Sequence, residues 1–408
     1  MAIRAATEAL ASVKSKRIVL ISHDLSQTGS PLLLVETAVK LREAGAHVQF
    51  VTLGNDARED NCAARNKLEI LPTANSFAQC ARADIAITNT AETWPWVDAY
   101  LQAYPQQGCS LIWWIHEIDA GSYAAQMHSL GAVAMALFDS YASLKNWKDT
   151  RLRFPPIARV IHPCVDDSFM ENAAKSRFPY PGTGIAKKLL GKTAFLSRRA
   201  VRKKLGIEPN DFVTTLIGTL PQKDAPLFLS TVGRMLAENP TLPIKVLVVG
   251  FRTRQEEVAF VQGLHELAQR ALDLHRTIPI VQDLTPYYAA ADALVMNSQE
   301  LGENFGRVTI EAMAFKLPVL GTNAGGTPEI IEHGITGLLH PVGLEGQKRL
   351  AENILTLMKN PRKAQEMGDA GYKRIQEEFT GDRFYEELGS LLAMIPNRRV
   401  EAVSSQPI

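Results

Sequence analysis

The sequence predicts an α/β protein built from two Rossmann-like parallel-sheet domains, and three observations carry that expectation. The chain has 408 residues, too many for one ordinary domain and enough for two of about 150 to 200 each. Short apolar runs without helical period, such as SLIWWI at 110–115, FVTTLI at 212–217 and ALVM at 293–296, read as strands buried on both faces. Stretches with helical spacing separate them, so strand and helix alternate as in doubly wound folds.

The first domain is expected over 1–170. Arg17 to Ser22 is its first strand, and the turn Ser26-Gln27-Thr28-Gly29-Ser30-Pro31 leads into a helix from Leu32 to Ala44 that Gly45 ends. His47 to Leu53 completes a βαβ unit. A dinucleotide site would need G-x-G-x-x-G in that turn, and with only Gly29 there nicotinamide binding has weak support. Asp84 to Thr88 and Ser110 to Ile115 are further strands ending in the polar clusters Asn89-Thr90 and His116-Glu117, where parallel sheets carry chemistry. Trp94 and Trp96 either line a binding groove, since indoles stack on sugar rings, or pack on the sheet. Ala134 to Phe138 followed by Asp139-Ser140 is a strand and helix start, and Ala158 to Pro163 closes the sheet.

Residues 171–207 read as a basic linker. Between Glu171 and Glu208 there is no acid, while Lys187, Lys188, Arg198, Arg199, Arg202, Lys203 and Lys204 all fall there. Such a run is either a solvated helix face or a contact for lipid headgroups or a phosphorylated acceptor. Gly191-Lys192-Thr193 is not a P-loop, because Ala186 stands where glycine is required.

The second domain is expected over 208–380, with strands at Phe212–Ile217, Ile244–Gly250 and Thr277–Val281, a short helix at Tyr287–Asp292, and amphipathic helices at Leu350–Met358 and Arg362–Phe379. A last segment, 381–408, holds a helix from Gly381 to Met394 and a tail.

Composition narrows the class. Hydrophobic residues make up 46% and charged residues 21%, the balance of a globular protein with ample core, and a net charge of +1 gives no support for a nucleic-acid binder. Cys62, Cys80, Cys109 and Cys164 form no C-x-x-C pair, so neither zinc nor a disulfide framework is expected. No apolar run reaches membrane-span length and the opening residues lack a signal-peptide pattern, so a cytoplasmic protein is expected.

The densest stretch is 292–330. Ala293 to Met296 is a strand, Ser298 to Phe305 a polar loop, and Val308, Ala312 and Phe315 mark one helix face that Glu311 accompanies. Pro318-Val319-Leu320 restarts a strand and Gly325-Gly326-Thr327-Pro328 opens a helix at Glu329. Helix N-termini with glycines suit a phosphate, whereas Glu303 and Glu311 would repel one but accept hydrogen bonds from hydroxyls. A ligand carrying both a diphosphate and polyol ends reconciles them, and a sugar nucleotide is such a ligand.

This block, Glu303-Asn-Phe-Gly-Arg-Val-Thr-Ile-Glu311, resembles the E-x7-E motif of retaining glycosyltransferases of family 4 with the GT-B fold, and Gly325-Gly-Thr-Pro-Glu329 and Gly334-Ile-Thr-Gly337 also match that family. The resemblance covers the whole chain and is strongest from about 212 to 340. It implies two domains facing across a cleft, with transfer of a hexose-type sugar from a nucleotide-diphosphate donor to a hydroxyl acceptor, glycan or lipid-linked. By resemblance Glu303 contacts the transferred sugar and Glu311 the ribose, while the backbone of Phe305, Gly306, Arg307, Val308 and Thr309 holds hydroxyls and phosphate. Gly29 and Ser30 approach the diphosphate, and Trp-Ile-His116-Glu117 matches the family histidine that meets a sugar hydroxyl. Lys223 matches the phosphate-gripping lysine if one residue is deleted, whereas Thr219 replaces the usual arginine, so Arg307, Arg252 or a linker arginine is expected to add charge. Asn304 stands where glycine is usual. No D-x-D occurs, so no metal and no separate cofactor are expected. The alternatives are a sugar-nucleotide-binding scaffold without turnover and another GT-B enzyme such as an epimerase or a phosphorylase.

Overall fold

The computed structural model describes residues 8–25, 29–54, 63, 66–106, 108–177, 198–218, 223–251, 254–264, 266, 268, 271, 275–279 and 283–395. The chain forms two compact units, one of residues 1–163 with 381–408 and the other of residues 164–380.

In the first unit the elements run β1 (Arg17–Ser22), α1 (Gly29–Glu43), β2 (His47–Thr52), β3 (Glu69–Leu71), α2 (Ser76–Arg82), β4 (Ile85–Asn89), α3 (Trp94–Ala103), β5 (Ser110–Ile115), β6 (Met135–Phe138), α4 (Tyr141–Lys148) and β7 (Ile157–Val160). The strands make a parallel sheet of order β3-β2-β1-β4-β5-β6-β7, with Ile18 of β1 opposite Val48 on one side and Ile85 on the other. The direction of winding reverses between β1 and β4, so polar groups at those strand ends lie at a topological switch point. Every residue of β5 is buried, as its unbroken apolar run predicts. Its two indoles tolerate this because each N–H finds an acceptor, Trp113 at the Thr90 carbonyl (2.9 Å) and Trp114 at Asp139 (2.9 Å). Trp96 packs rather than lining a groove: it stacks on Tyr100 at 5.2 Å and donates to Ser76 Oγ at 3.0 Å.

The second unit runs α5 (Asp167–Arg177), α6 (Arg198–Lys204), β8 (Phe212–Ile217), α7 (Ala225–Glu238), β9 (Ile244–Phe251), α8 (Arg254–Gln262), β10 (His275–Pro279), α9 (Thr285–Ala290), β11 (Ala293–Met296), α10 (Arg307–Ala314), β12 (Val319–Thr322), α11 (Thr327–Ile330), β13 (Gly337–His340), α12 (Gly343–Lys359) and α13 (Pro361–Glu378). Its parallel sheet has the order β10-β9-β8-β11-β12-β13, again reversing at the first strand. The two-residue period of the strands splits the core: Leu294 and Met296 pack with α9 and α10, whereas Ala293 and Val295 pack with α7 and α12.

The last helix, α14 (Gly381–Ala393), belongs to the first unit, where Ser12 Oγ bonds the Gly389 carbonyl and Trp114 stacks on Phe384 at 6.0 Å. Among the described residues no helix is long and apolar enough to cross a membrane. The expected linker over 171–207 is partly structured: α5 reaches Arg177 and α6 occupies 198–204, while 178–197, including Lys187 and Lys188, lie outside the described residues. Nor is α6 a simple solvated face. Arg202 is buried, and both Arg198 and Arg202 pair with Asp292, so these two cations serve the fold; Arg199, Lys203 and Lys204 stay exposed.

Candidate functional site

At the carboxyl end of β11 the chain leaves the sheet through Asn297 and Ser298, both buried, and loops to α10. That loop is stitched to the turn before α11. Glu303 makes a parallel bridge with Gly325, and its carbonyl accepts from Gly326 N at 2.8 Å. Only glycine permits so close an approach: Gly325 has φ +61°, and a Cβ there would stand 2.2 Å from the Glu303 carbonyl oxygen. Gly325→Ala is therefore expected to cost about 2 to 3 kcal/mol of stability, with faster hydrogen exchange confined to residues 302–306 as its signature. Unchanged exchange there would mean the stitch does not hold the loop.

Lys223 rises from the adjacent strand end, after β8. Its ammonium sits 2.6 Å from Glu303 Oε2 and 3.2 Å from Met296 Sδ, with side-chain exposures of 8% for Lys223 and 26% for Glu303. Ser298 Oγ adds a hydrogen bond to the same Glu303 oxygen at 3.1 Å. Burial pushes the Glu303 carboxyl up, but the Lys223 charge and these hydrogen bonds outweigh it and hold the group below its ordinary value. The next residue, Asp224, adopts a left-handed backbone (φ +40°) and caps α7 through Leu227 N. Asn297 Nδ2 donates to its carbonyl at 3.1 Å, so Asn297 fastens the Lys223 turn to β11. Behind it, His340 Nε2 lies 3.4 Å from Asn297 Oδ1, and burial lowers that imidazole to about 4, leaving it neutral.

On α10, Gly306 takes the cap position with φ +90°, and Arg307, Val308, Thr309 and Glu311 follow in the helix. Phe305 is buried against Phe379. Glu311 Oε2 accepts from the buried Tyr288 hydroxyl at 2.7 Å, which aims the carboxylate; Tyr288 in turn stacks on Phe315. The expected helix at Glu329 starts at Thr327 and lasts a single turn, so of the two expected N-terminal amide clusters only that of α10 belongs to a helix of two turns. Asn304, where glycine is usual, is accommodated as a buried residue. Thr219 and Arg252 lie outside the described residues.

In the first unit, Gly29 and Ser30 are the first residues of α1, beyond the carboxyl end of β1. His116 follows β5 and its Nδ1 lies 2.7 Å from Asp139 Oδ2. The neighbouring Glu117 turns its carboxyl onto backbone, accepting from Ala91 N and His116 N, and burial pushes it up to about 7. Residue type and resemblance single out Glu303, Lys223, Glu311 and His116, but not Ser298, Tyr288 and Asp139, which bond Glu303, Glu311 and His116, nor Asn297, which holds the Asp224 carbonyl beside Lys223. No spacing rule links Tyr288 to Glu311 or Asp139 to His116. Among the described residues no group of three or more His, Cys, Asp or Glu side chains is arranged to hold a metal.

Two family models cover most of the chain: glycosyl-transferase family 4 matches residues 14–177 and glycosyl transferases group 1 matches 197–374. The chain belongs to these glycosyltransferase families. Among its relatives, spore coat protein SA of Bacillus subtilis is 29% identical over 199 residues, 48% of this chain and 52% of that protein. D-inositol 3-phosphate glycosyltransferase of Rhodococcus jostii is 33% identical over 148 residues, 35% of this chain and 32% of that one. The chain thus spans about half or less of these curated relatives. Among solved structures, HepE of Anabaena, in complex with UDP and glucose, superposes with a TM-score of 0.76 at 17% identity, covering 93% of this chain and 100% of that one. Sucrose-phosphate synthase of Thermosynechococcus elongatus gives 0.68 at 18% identity, covering 92% and 98%. These likenesses show the GT-B fold, two parallel-sheet α/β units within one chain.

Proposed function

We propose that the chain is a retaining glycosyltransferase that moves a hexose-type sugar from a nucleotide-diphosphate sugar to a hydroxyl acceptor, in polysaccharide, glycolipid or glycoconjugate synthesis. The observation that carries this reading is the ion pair of buried Lys223 with the partly buried Glu303 at the switch point between β8 and β11, beside the N-terminus of α10. Such a pair suits a substrate of mixed character. Lys223 and the helix amides stabilise a departing diphosphate, while Glu303 accepts hydrogen bonds from sugar hydroxyls and Glu311, aimed by Tyr288, accepts from a ribose.

In this reading the acceptor hydroxyl attacks on the face from which the diphosphate leaves, a diphosphate oxygen takes its proton, and the anomeric configuration is kept. Arg307, at the first position of α10, supplies the second positive charge. His116 orients the sugar, Gly29 and Ser30 approach the diphosphate, and no metal takes part. HepE is described with UDP, glucose and UDP-glucose, which makes UDP-glucose the first donor to test. Peripheral contact with an anionic membrane would use Arg199, Lys203 and Lys204.

UDP-glucose at a hundred times its dissociation constant is expected to stabilise the native chain by about 2.7 kcal/mol, seen as a raised melting temperature. Incubation with a hydroxyl acceptor should then release UDP and yield a product with the donor's anomeric configuration. Binding without UDP release would favour the scaffold alternative. An inverted product would end the retaining assignment.

A further inference from the structure

We propose that Asp139 fixes the hydrogen of His116 on Nδ1, so that the imidazole meets the substrate through Nε2 as a hydrogen-bond acceptor. Asp139 is thus a positioning residue, and its role rests on the reading that His116 faces the sugar. Three contacts lead to it. An ionised carboxylate only accepts, so the 2.7 Å approach of His116 Nδ1 to Asp139 Oδ2 requires the hydrogen on Nδ1. The other carboxylate oxygen is claimed by Trp114 Nε1 at 2.9 Å, and an indole N–H only donates, which pins the carboxylate in place. Trp114, wholly buried, also stacks on the His116 ring at 5.2 Å. With side-chain exposures of 6% and 8%, the histidine and the aspartate sit together out of water.

The consequence concerns specificity. An acceptor nitrogen calls for a donor opposite it, so the sugar must bring a hydroxyl to His116. A carboxylate at that position, as in a uronic acid, or a hydrogen, as in a deoxy sugar, makes no such bond.

Asp139→Asn tests this cleanly because Trp114 dictates how the amide sits. The indole takes the amide oxygen, the amide nitrogen then faces His116 Nδ1, and the imidazole proton is driven to Nε2. Nitrogen-15 NMR of the full chain labelled at histidine, with His116 assigned by the signal lost in His116→Ala, should show Nδ1–H in the wild type and Nε2–H in Asp139→Asn. With UDP-glucose as donor, kcat/KM should fall by roughly one to two orders of magnitude. The double variant Trp114→Phe/Asp139→Asn frees the amide to rotate its oxygen back to Nδ1, so it should recover the wild-type tautomer and much of the lost turnover. A wild-type proton on Nε2, or an inverted tautomer with unchanged turnover, overturns the proposal. Absence of any UDP-glucose turnover in the wild type counts against the donor assignment instead, and the tautomer of the wild type still decides the part played by Asp139. Should Asp139→Asn fail to fold, that same wild-type spectrum decides alone.

Discussion

Replacing Glu303 by alanine is expected to lower sugar transfer at saturating donor by about two to three orders of magnitude, the usual loss when one preorganised electrostatic contact to the transition state is removed. The same change also strands Lys223, whose ammonium is left in a nearly closed pocket beside Met296 Sδ. A fall in activity could then reflect a displaced lysine or a damaged fold. Glu303→Gln separates these effects: its amide oxygen still accepts from Lys223 and Ser298, but it carries no charge. The expected pattern is a smaller loss of stability in Glu303→Gln than in Glu303→Ala, and a large fall in turnover per folded molecule in both. Acid should act in the same sense. The folded carboxyl lies below its ordinary value, so the pair's contribution is fully present above the unfolded value and is lost as pH falls through the lowered folded one. Activity should therefore not decline through this group at neutral pH. Turnover per folded molecule equal to wild type in both variants would remove Glu303 from the reaction.

What the sequence made legible follows burial and locality. The runs at 110–115, 212–217 and 293–296 are strands with the expected ends, because an unbroken apolar run bounded by polar residues has one stable home, the middle of a parallel sheet. The strands β3 and β13 were not legible: Glu69–Leu71 is a three-residue edge strand, half-exposed, and Gly337–His340 begins on a glycine. Chemistry showed the same division. Glu303 and Lys223 stand out by residue type and by resemblance, but their pairing bridges eighty positions and appears only when β8 and β11 become neighbours. The basic run misled for a related reason. Nothing within α6 announces that Arg202 will be buried, because its counter-charge, Asp292, lies ninety positions away.

Asp292→Ala is expected to cost about 3 to 5 kcal/mol, the range for removing one partner from a buried ion pair. Asp292 Oδ2 accepts from Arg202 Nη2 at 2.5 Å and from Val213 N at 2.7 Å, while its other oxygen pairs with Arg198. Arg202 is 7% exposed and otherwise meets backbone carbonyls, those of Ala290 at 2.9 Å and Asp211 at 3.1 Å. Burial pulls its pKa down and Asp292 opposes that pull, so without the carboxylate a cation is held in a place that disfavours it and the Val213 amide loses its acceptor. Arg198 behaves otherwise. At 42% exposed it keeps water as an alternative partner, so Arg198→Ala should cost no more than about 1 kcal/mol. The probe must be chosen with care, because all five tryptophans, at 94, 96, 113, 114 and 147, fall in the first unit, and their fluorescence would follow the wrong half of the molecule. Hydrogen exchange of α6, β8 and α9 reads the damage where it occurs. Equal protection of those elements in wild type and Asp292→Ala would show that the three-way junction does not anchor α6, and would return the whole basic run to candidate contacts for an anionic surface.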